Sequence, residues 1–148
     1  MTVYRFGPHI IHESQIFFKS KLALGIVNLK PIAPGHVLVI PRRVAARLAD
    51  LDVEETVDLM MSAQSIGNVV EKHYQGTSLT LTIQDGPQAG QTVPHVHMHI
   101  IPRKKGDWAN NDDIYHALDS KVDNEGRKPR TEQEMKEEAD ALRVYFMN

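Results

Sequence analysis

Three imidazoles at alternate positions, in "PHVHMHIIP" (residues 94–102), restrict this chain more than any other feature. Side chains two apart on an extended strand share a face and sit about 6.6–6.8 Å from one another. His95, His97 and His99 are therefore expected on one face, as a track about as long as a short phosphate chain. Val96, Met98 and Ile100 then point into a core that fixes the strand. Pro94 has no N–H for a ladder and suits the first turn of the strand or an edge. A solvated polar face would explain one such histidine, not three in register. Two chemistries use imidazoles so spaced. One is zinc binding, with two ligands from His-x-His and a third from elsewhere, such as His36. The other is nucleophilic attack at phosphorus by a neutral imidazole, with its neighbours binding phosphate oxygens.

The flanking residues favour phosphorus. A catalytic zinc site normally has a carboxylate as ligand, orienting group or base, and the one nearby is Asp85, in a Gly-Pro turn. Beside the track runs "QDGPQAGQTV" (residues 84–93), with Gly86 and Gly90, Gln84 and Gln91, and Thr92. Glycines let a backbone approach a ligand closely, and the amides of a turn can cradle phosphate.

The rest of the chain supplies a scaffold. "SQIFFKS", "LALGIVNLK" and "GHVLVIPRR" are apolar runs of strand length, the last opened by "KPIAPG". A helix begins where Asp52 and Glu55 form a capping box, with Val53, Val57, Met60, Ala63, Ile66, Val70 and Tyr74 at helical spacing. Gly76 stands where a left-handed C-cap belongs. "TSLTLTIQ" is a further strand, and Thr131 with Glu134 caps a last helix whose stripe is Met135, Ala139, Leu142 and Phe146. Residues 105–130 are turn-rich and polar and are expected to form a mobile loop region. Strands in hairpin order with flanking helices, without βαβ alternation, indicate an α+β fold on an antiparallel sheet.

At 148 residues the chain fits a single domain, 1–148, and 41% hydrophobic with 24% charged residues suffices for a core. There is no cysteine, so thiolate metal sites and disulfides are excluded, and a reducing cytosol suits the chain. A formal charge of −2 gives no general attraction to nucleic acid or to anionic lipid. No apolar run reads as a signal peptide or a membrane span, so a cytoplasmic place, with the nucleus also open, is expected, and neither nucleic acid nor membrane is expected as a partner. The basic runs "PRRVAARL" and "RKK" are expected to be solvated surface, and Trp108 to pack.

"HVHMHII" resembles the His-φ-His-φ-His-φ-φ signature of the histidine triad superfamily, φ being apolar. "LTIQDGPQAGQTVPHVHMHIIPRKKGD", with "KPIAPGHVLVIPRR" before it and "NDDIY" after, is similar to the fragile histidine triad branch, which hydrolyses dinucleoside polyphosphates. The similarity runs from about Tyr4 to Tyr115, resumes in "EEADALRVYF", and fails over residues 116–130.

The resemblance implies a sheet of about five antiparallel strands with flanking helices, two protomers joining theirs into one sheet as a homodimer. It implies that diadenosine triphosphate is split to AMP and ADP through a nucleotidyl-histidine. In that scheme His97 is the nucleophile and His99 binds the non-bridging oxygens. His95 orients the ring of His97, His36 supports the triad, and Gln91 touches the bridging oxygen of the leaving group. The substrate is held by His9, by Asn28 at the ribose hydroxyls and by Gln84 near the phosphates, with backbone contacts from Gly90, Thr92 and Val93. Phe6 and strand residues are expected against adenine. A divalent cation, Mg2+ or Mn2+, assists on the substrate phosphates, and no protein-held metal is expected. Two other readings stand beside this one: an adenosine phosphoramidate hydrolase of a sister branch, and a nucleotide-binding signalling module whose output is the bound complex. The sister branch ends in a Trp-Pro-Gly-rich tail soon after its histidines, which this chain lacks.

Overall fold

The computed structural model describes residues 2–118 and 127–147. Five antiparallel strands form the main sheet: β3 (Ile16–Lys19), β4 (Ala23–Val27), β5 (Val37–Pro41), β6 (Ser78–Ile83) and β7 (Met98–Arg103). Their order is β3-β4-β5-β7-β6, so the histidine-bearing strand lies inside the sheet. A separate hairpin of β1 (Tyr4–Phe6) and β2 (His9–Ile11) precedes it; the residue pattern had not signalled these two strands. Among the described residues the α-helices are α1 (Val53–His73), α2 (Asp113–Ala117) and α3 (Glu132–Arg143).

Although β4 and β5 are buried throughout, their side chains still alternate. Ala23, Val27, Val37 and Val39 join Val96, Met98 and Ile100 in the core beneath α1 and α3. Leu24, Ile26, Leu38 and Ile40 form a second cluster on the opposite face with Ile11, Ile16, Tyr4 and Phe6. Leu38 pairs with His99, which puts that histidine on the face away from the two long helices.

Both capping boxes form as expected, Asp52 with Glu55 and Thr131 with Glu134. Three details differ from expectation. The sheet-facing side of α1 carries Glu55, Leu59, Ser62, Ala63, Ile66 and Val70, while Val53, Val57 and Met60 are exposed. The cause is polar anchoring of the first turns: Arg43 grips Glu55 through two nitrogens, and Asp58 accepts from Ser20 Oγ and the Leu22 N–H. The left-handed residue after α1 is Gln75, at φ 59°, and not Gly76. The strand with the histidines begins only at Met98, so His95 and His97 precede the ladder.

Within residues 105–130, α2 buries Ile114 against Ile101 and Leu118, with Trp108 packed on the same cluster. Residues 119–126 of the expected loop lie outside the described residues. Among the described residues no helix is long and apolar enough to cross a membrane.

Candidate active site

On the sheet face away from α1, a cavity of about 330 Å³ is lined by His36, His97 and His99. The site residues expected from sequence that it brings together are these three with His9, Asn28, Gln84, Gly90, Thr92 and Val93. Two are placed elsewhere. His95 is fully buried behind the cavity, so the three rings do not form one open track. Gln91 is spent on its own loop: its Oε1 accepts from the Gly86 N–H, and its Nε2 donates to the Ala46 and Val93 carbonyls.

Backbone groups have fixed hydrogen-bonding roles, and they set the tautomers of His36, His95, His97 and His99. His95 Nδ1 accepts from the Gly7 N–H at 2.9 Å, so its proton is on Nε2, which donates to the Pro41 carbonyl at 2.8 Å. His97 Nδ1 lies 2.8 Å from the His95 carbonyl, so it must carry the proton. Among the described residues nothing donates to the Nε2 lone pair of His97. His36 Nδ1 accepts from the Ile32 N–H at 3.1 Å, so its Nε2–H donates to His99 Nδ1 at 2.9 Å. His99 is left with its proton on Nε2, a buried donor with no partner among the described residues. A free nucleophilic nitrogen thus stands beside a free N–H donor, their ring centroids 5.2 Å apart.

Burial holds all four rings neutral. It pushes His99 down to about 3, with the neighbouring His97 adding to the effect, and sets His36 well below the ordinary imidazole value. His97 and His95 are lowered as well, again chiefly by burial. Phe6 covers two of the rings, edge-on to His97 at 5.0 Å and tilted to His95 at 5.6 Å.

The glycine loop is held from below. Arg47 Nε donates to Asp85 at 2.9 Å and the Leu48 N–H to the same oxygen at 3.0 Å. This carboxylate is therefore committed to the loop, and Arg47, read from sequence as solvated, is one of its clamps. Arg43 on Glu55 and Arg103 on Asp107 and Asn111 are tied down in the same way. Gly90 has φ +95°, and a Cβ there would stand 2.6 Å from Gln84 Nε2, so glycine lets Gln84 lie across the loop. Among the described residues, no group of three His, Asp or Glu side chains is placed to hold a metal ion.

Leu29, Lys30, Leu38 and Leu118 also line the cavity and were not singled out from sequence. Asn28 was, and its neighbours Leu29 and Lys30 follow it along the wall; Leu118 arrives from a segment without local signal. An apolar hollow of about 340 Å³ adjoins, sharing Phe6, Asn28 and Leu38 and continuing along Ile10, Ile11, Ile26 and Val27.

Comparison with known proteins gives consistent matches. The HIT domain family model matches residues 11–106. The bis(5'-adenosyl)-triphosphatase of Dictyostelium discoideum is 51% identical over 146 residues, covering 99% of this chain and 95% of that protein. The bifunctional bis(5'-adenosyl)-triphosphatase/adenylylsulfatase of Arabidopsis thaliana is 48% identical over 151 residues, covering 97% and 84%. Among solved structures, the diadenosine triphosphate hydrolase of Plasmodium falciparum, in complex with cyclomarin A, superposes with a TM-score of 0.82 at 32% identity, covering 99% of this chain and 85% of that one.

The buried histidines make stability depend on pH with a definite sign. Each has a folded pKa below its unfolded value, so the unfolded chain binds more protons below about pH 6.5. Stability should be fully present above that pH and fall as acid is added. Urea unfolding at steps between pH 7.5 and 5 should show more than one proton taken up per chain on unfolding. A flat profile over that range would contradict the neutral assignment.

Proposed function

The chain belongs to the HIT domain family, and from that membership we propose that it is a bis(5'-adenosyl)-triphosphatase, hydrolysing diadenosine triphosphate to AMP and ADP. The observation that carries the reading is the pairing of His97, its Nε2 lone pair free, with His99, its Nε2–H unpartnered, in one cavity. The names of relatives that align over nearly the whole chain support the same substrate.

In the proposed reaction His97 Nε2 attacks the α-phosphorus. A P–N bond forms, the bond from that phosphorus to the bridging oxygen breaks, and ADP leaves with the electron pair. The leaving oxygen belongs to an already acidic phosphate, so it needs no proton. The His95 carbonyl, accepting from His97 Nδ1–H, faces the positive charge that the ring acquires. His99 Nε2–H meets the non-bridging oxygen where negative charge builds. Water then attacks the same phosphorus, the P–N bond breaks, and AMP leaves with the water oxygen while a proton goes to solvent.

His95 and His36 act by orientation, each fixed by a backbone N–H. Gln91 acts through the loop it closes, which presents Gly90, Thr92 and Val93 to the phosphates. Asn28 binds the ribose, Gln84 and His9 lie along the phosphates, and the apolar hollow behind Phe6 takes the base. The donor set is neutral imidazoles and amides, with Asp85 committed to Arg47; it fits a divalent cation carried on the substrate phosphates and not one held by the protein.

We also propose a homodimer. The outer edge of β6 ends the sheet, Leu81 on that strand is exposed, and Val57, Met60 and Met61 of α1 are exposed apolar side chains. A second copy joined at β6 would extend the ladder and cover them. Sedimentation should give a dimer that Leu81→Arg converts to monomer; a monomeric wild type would rule it out.

The catalytic assignment is tested by His97→Asn, which keeps a polar group without a nucleophilic nitrogen. The rate on diadenosine triphosphate should fall by about three orders of magnitude or more with little change in substrate affinity. Turnover within tenfold of wild type would remove His97 from the mechanism. In the same assay chelation should slow the wild type and Mg2+ restore it, with the dialysed protein carrying no stoichiometric metal; about one zinc per chain would contradict the cation assignment.

A further inference from the structure

The β4–β5 ladder ends at Val27, opposite Val37, and the next two carbonyls of the cavity wall, those of Asn28 and Leu29, find their partners in one distant residue. Arg130 donates from Nε and from Nη2 to the Asn28 carbonyl, and its backbone N–H donates to the Leu29 carbonyl at 3.0 Å. The guanidinium is held in turn. Its Nη2 meets Glu138 Oε1 at 2.8 Å, and Tyr74, at the C-terminal end of α1, donates its hydroxyl to the other oxygen of Glu138. Arg130 and Glu138 have side chains only 19% and 11% exposed, so the pair is largely shielded from solvent. Asn28 lies between this brace and the catalytic histidines. Its Oδ1 accepts from the Lys30 N–H, and its Nδ2 stands 3.2 Å and 3.5 Å from the two nitrogens of the His36 ring.

We infer that Arg130 is a positioning residue for the nucleoside end of the site, holding Asn28 at the angle that presents its amide to the ribose hydroxyls. The ligand's identity rests on the hydrolase reading above; the brace itself does not. Arginine suits the place because its rigid planar fork holds two N–H groups on one carbonyl and a further one on a carboxylate, whereas the three N–H groups of an ammonium rotate about a single point. Glu138 keeps that fork from rotating into solvent. Together they replace the neighbouring strand that this part of the wall lacks.

The test compares wild type with Arg130→Gln, Arg130→Lys and Glu138→Gln, each checked first by its melting curve. Two readouts are taken: kcat and KM on diadenosine triphosphate, and binding of AMP against its 2',3'-dideoxy analogue. In Arg130→Gln, KM should rise about tenfold, the effect of one good hydrogen bond, while kcat stays within about threefold. The preference of wild type for AMP over the dideoxy nucleotide should fall toward one. Arg130→Lys should lie between, which also covers the case in which the glutamine variant does not fold. An unchanged KM, or equal weakening of both nucleotides, would overturn the inference and leave Arg130 a merely structural residue. A wild type that binds the two nucleotides differently but does not turn over the triphosphate would sink the hydrolase reading and leave the Arg130 comparison intact. Equal binding by wild type would sink the ribose role, and Arg130 with it.

Discussion

The backbone N–H of Ile32 decides which nitrogen of His99 carries the proton. It is a donor and nothing else, so it makes His36 Nδ1 an acceptor; His36 must then donate from Nε2, and His99 must receive on Nδ1. The Gly7 N–H and the His95 carbonyl act in the same way on the other pair. Four rings that could adopt sixteen combinations of neutral tautomers are thereby reduced to one. For the proposed mechanism this is preorganisation in the electrostatic sense: the N–H donor and the lone pair are set by the fold itself and need no change of tautomer when charge develops.

Neutrality follows from the same packing. Two imidazolium rings about 5 Å apart would repel by about 3 kcal/mol at an effective dielectric of 20, so two charged histidines cannot share this cavity. The actual spacing of His36 and His99 is 5.1 Å between centroids, and both are buried. In the proposed mechanism catalysis then depends on a lone pair and on directed N–H groups, with Lys30 on the cavity wall to meet phosphate charge. A lowered pKa would also suit the role proposed for His97, because the ring keeps its lone pair below the pH at which a free histidine would lose it.

The sequence exposed those parts of this molecule that rest on local rules. The five strands, both capping boxes and the core positions Val96, Met98 and Ile100 follow from alternation and cap chemistry within a few residues. The differences come from contacts that no local pattern encodes. The exposed Val53, Val57 and Met60 look like core until Arg43 and Ser20 are seen to claim the polar side of α1. The Gln91 side chain, expected at the leaving group, has three hydrogen bonds within the loop and to Ala46. His95 shares the pattern of its neighbours, yet the hairpin of β1 and β2, unmarked by any local signal, covers it through Gly7 and Phe6. Arg130, in a stretch resembling nothing recognisable, reaches a carbonyl 102 residues away.

The central claim is that a lone pair on His97, and not a water molecule, makes the first bond to phosphorus. Stereochemistry at that atom tests it whatever the lifetime of the adduct. A dinucleoside triphosphate bearing sulfur in one non-bridging position of a single α-phosphate, of known configuration, would be hydrolysed in ¹⁸O-water and the configuration at phosphorus of the nucleoside thiophosphate product read. Attack by His97 followed by attack of water makes two in-line displacements, each inverting, so the product should retain its configuration with the label in AMP. Net inversion would mean a single displacement by water and would contradict the account.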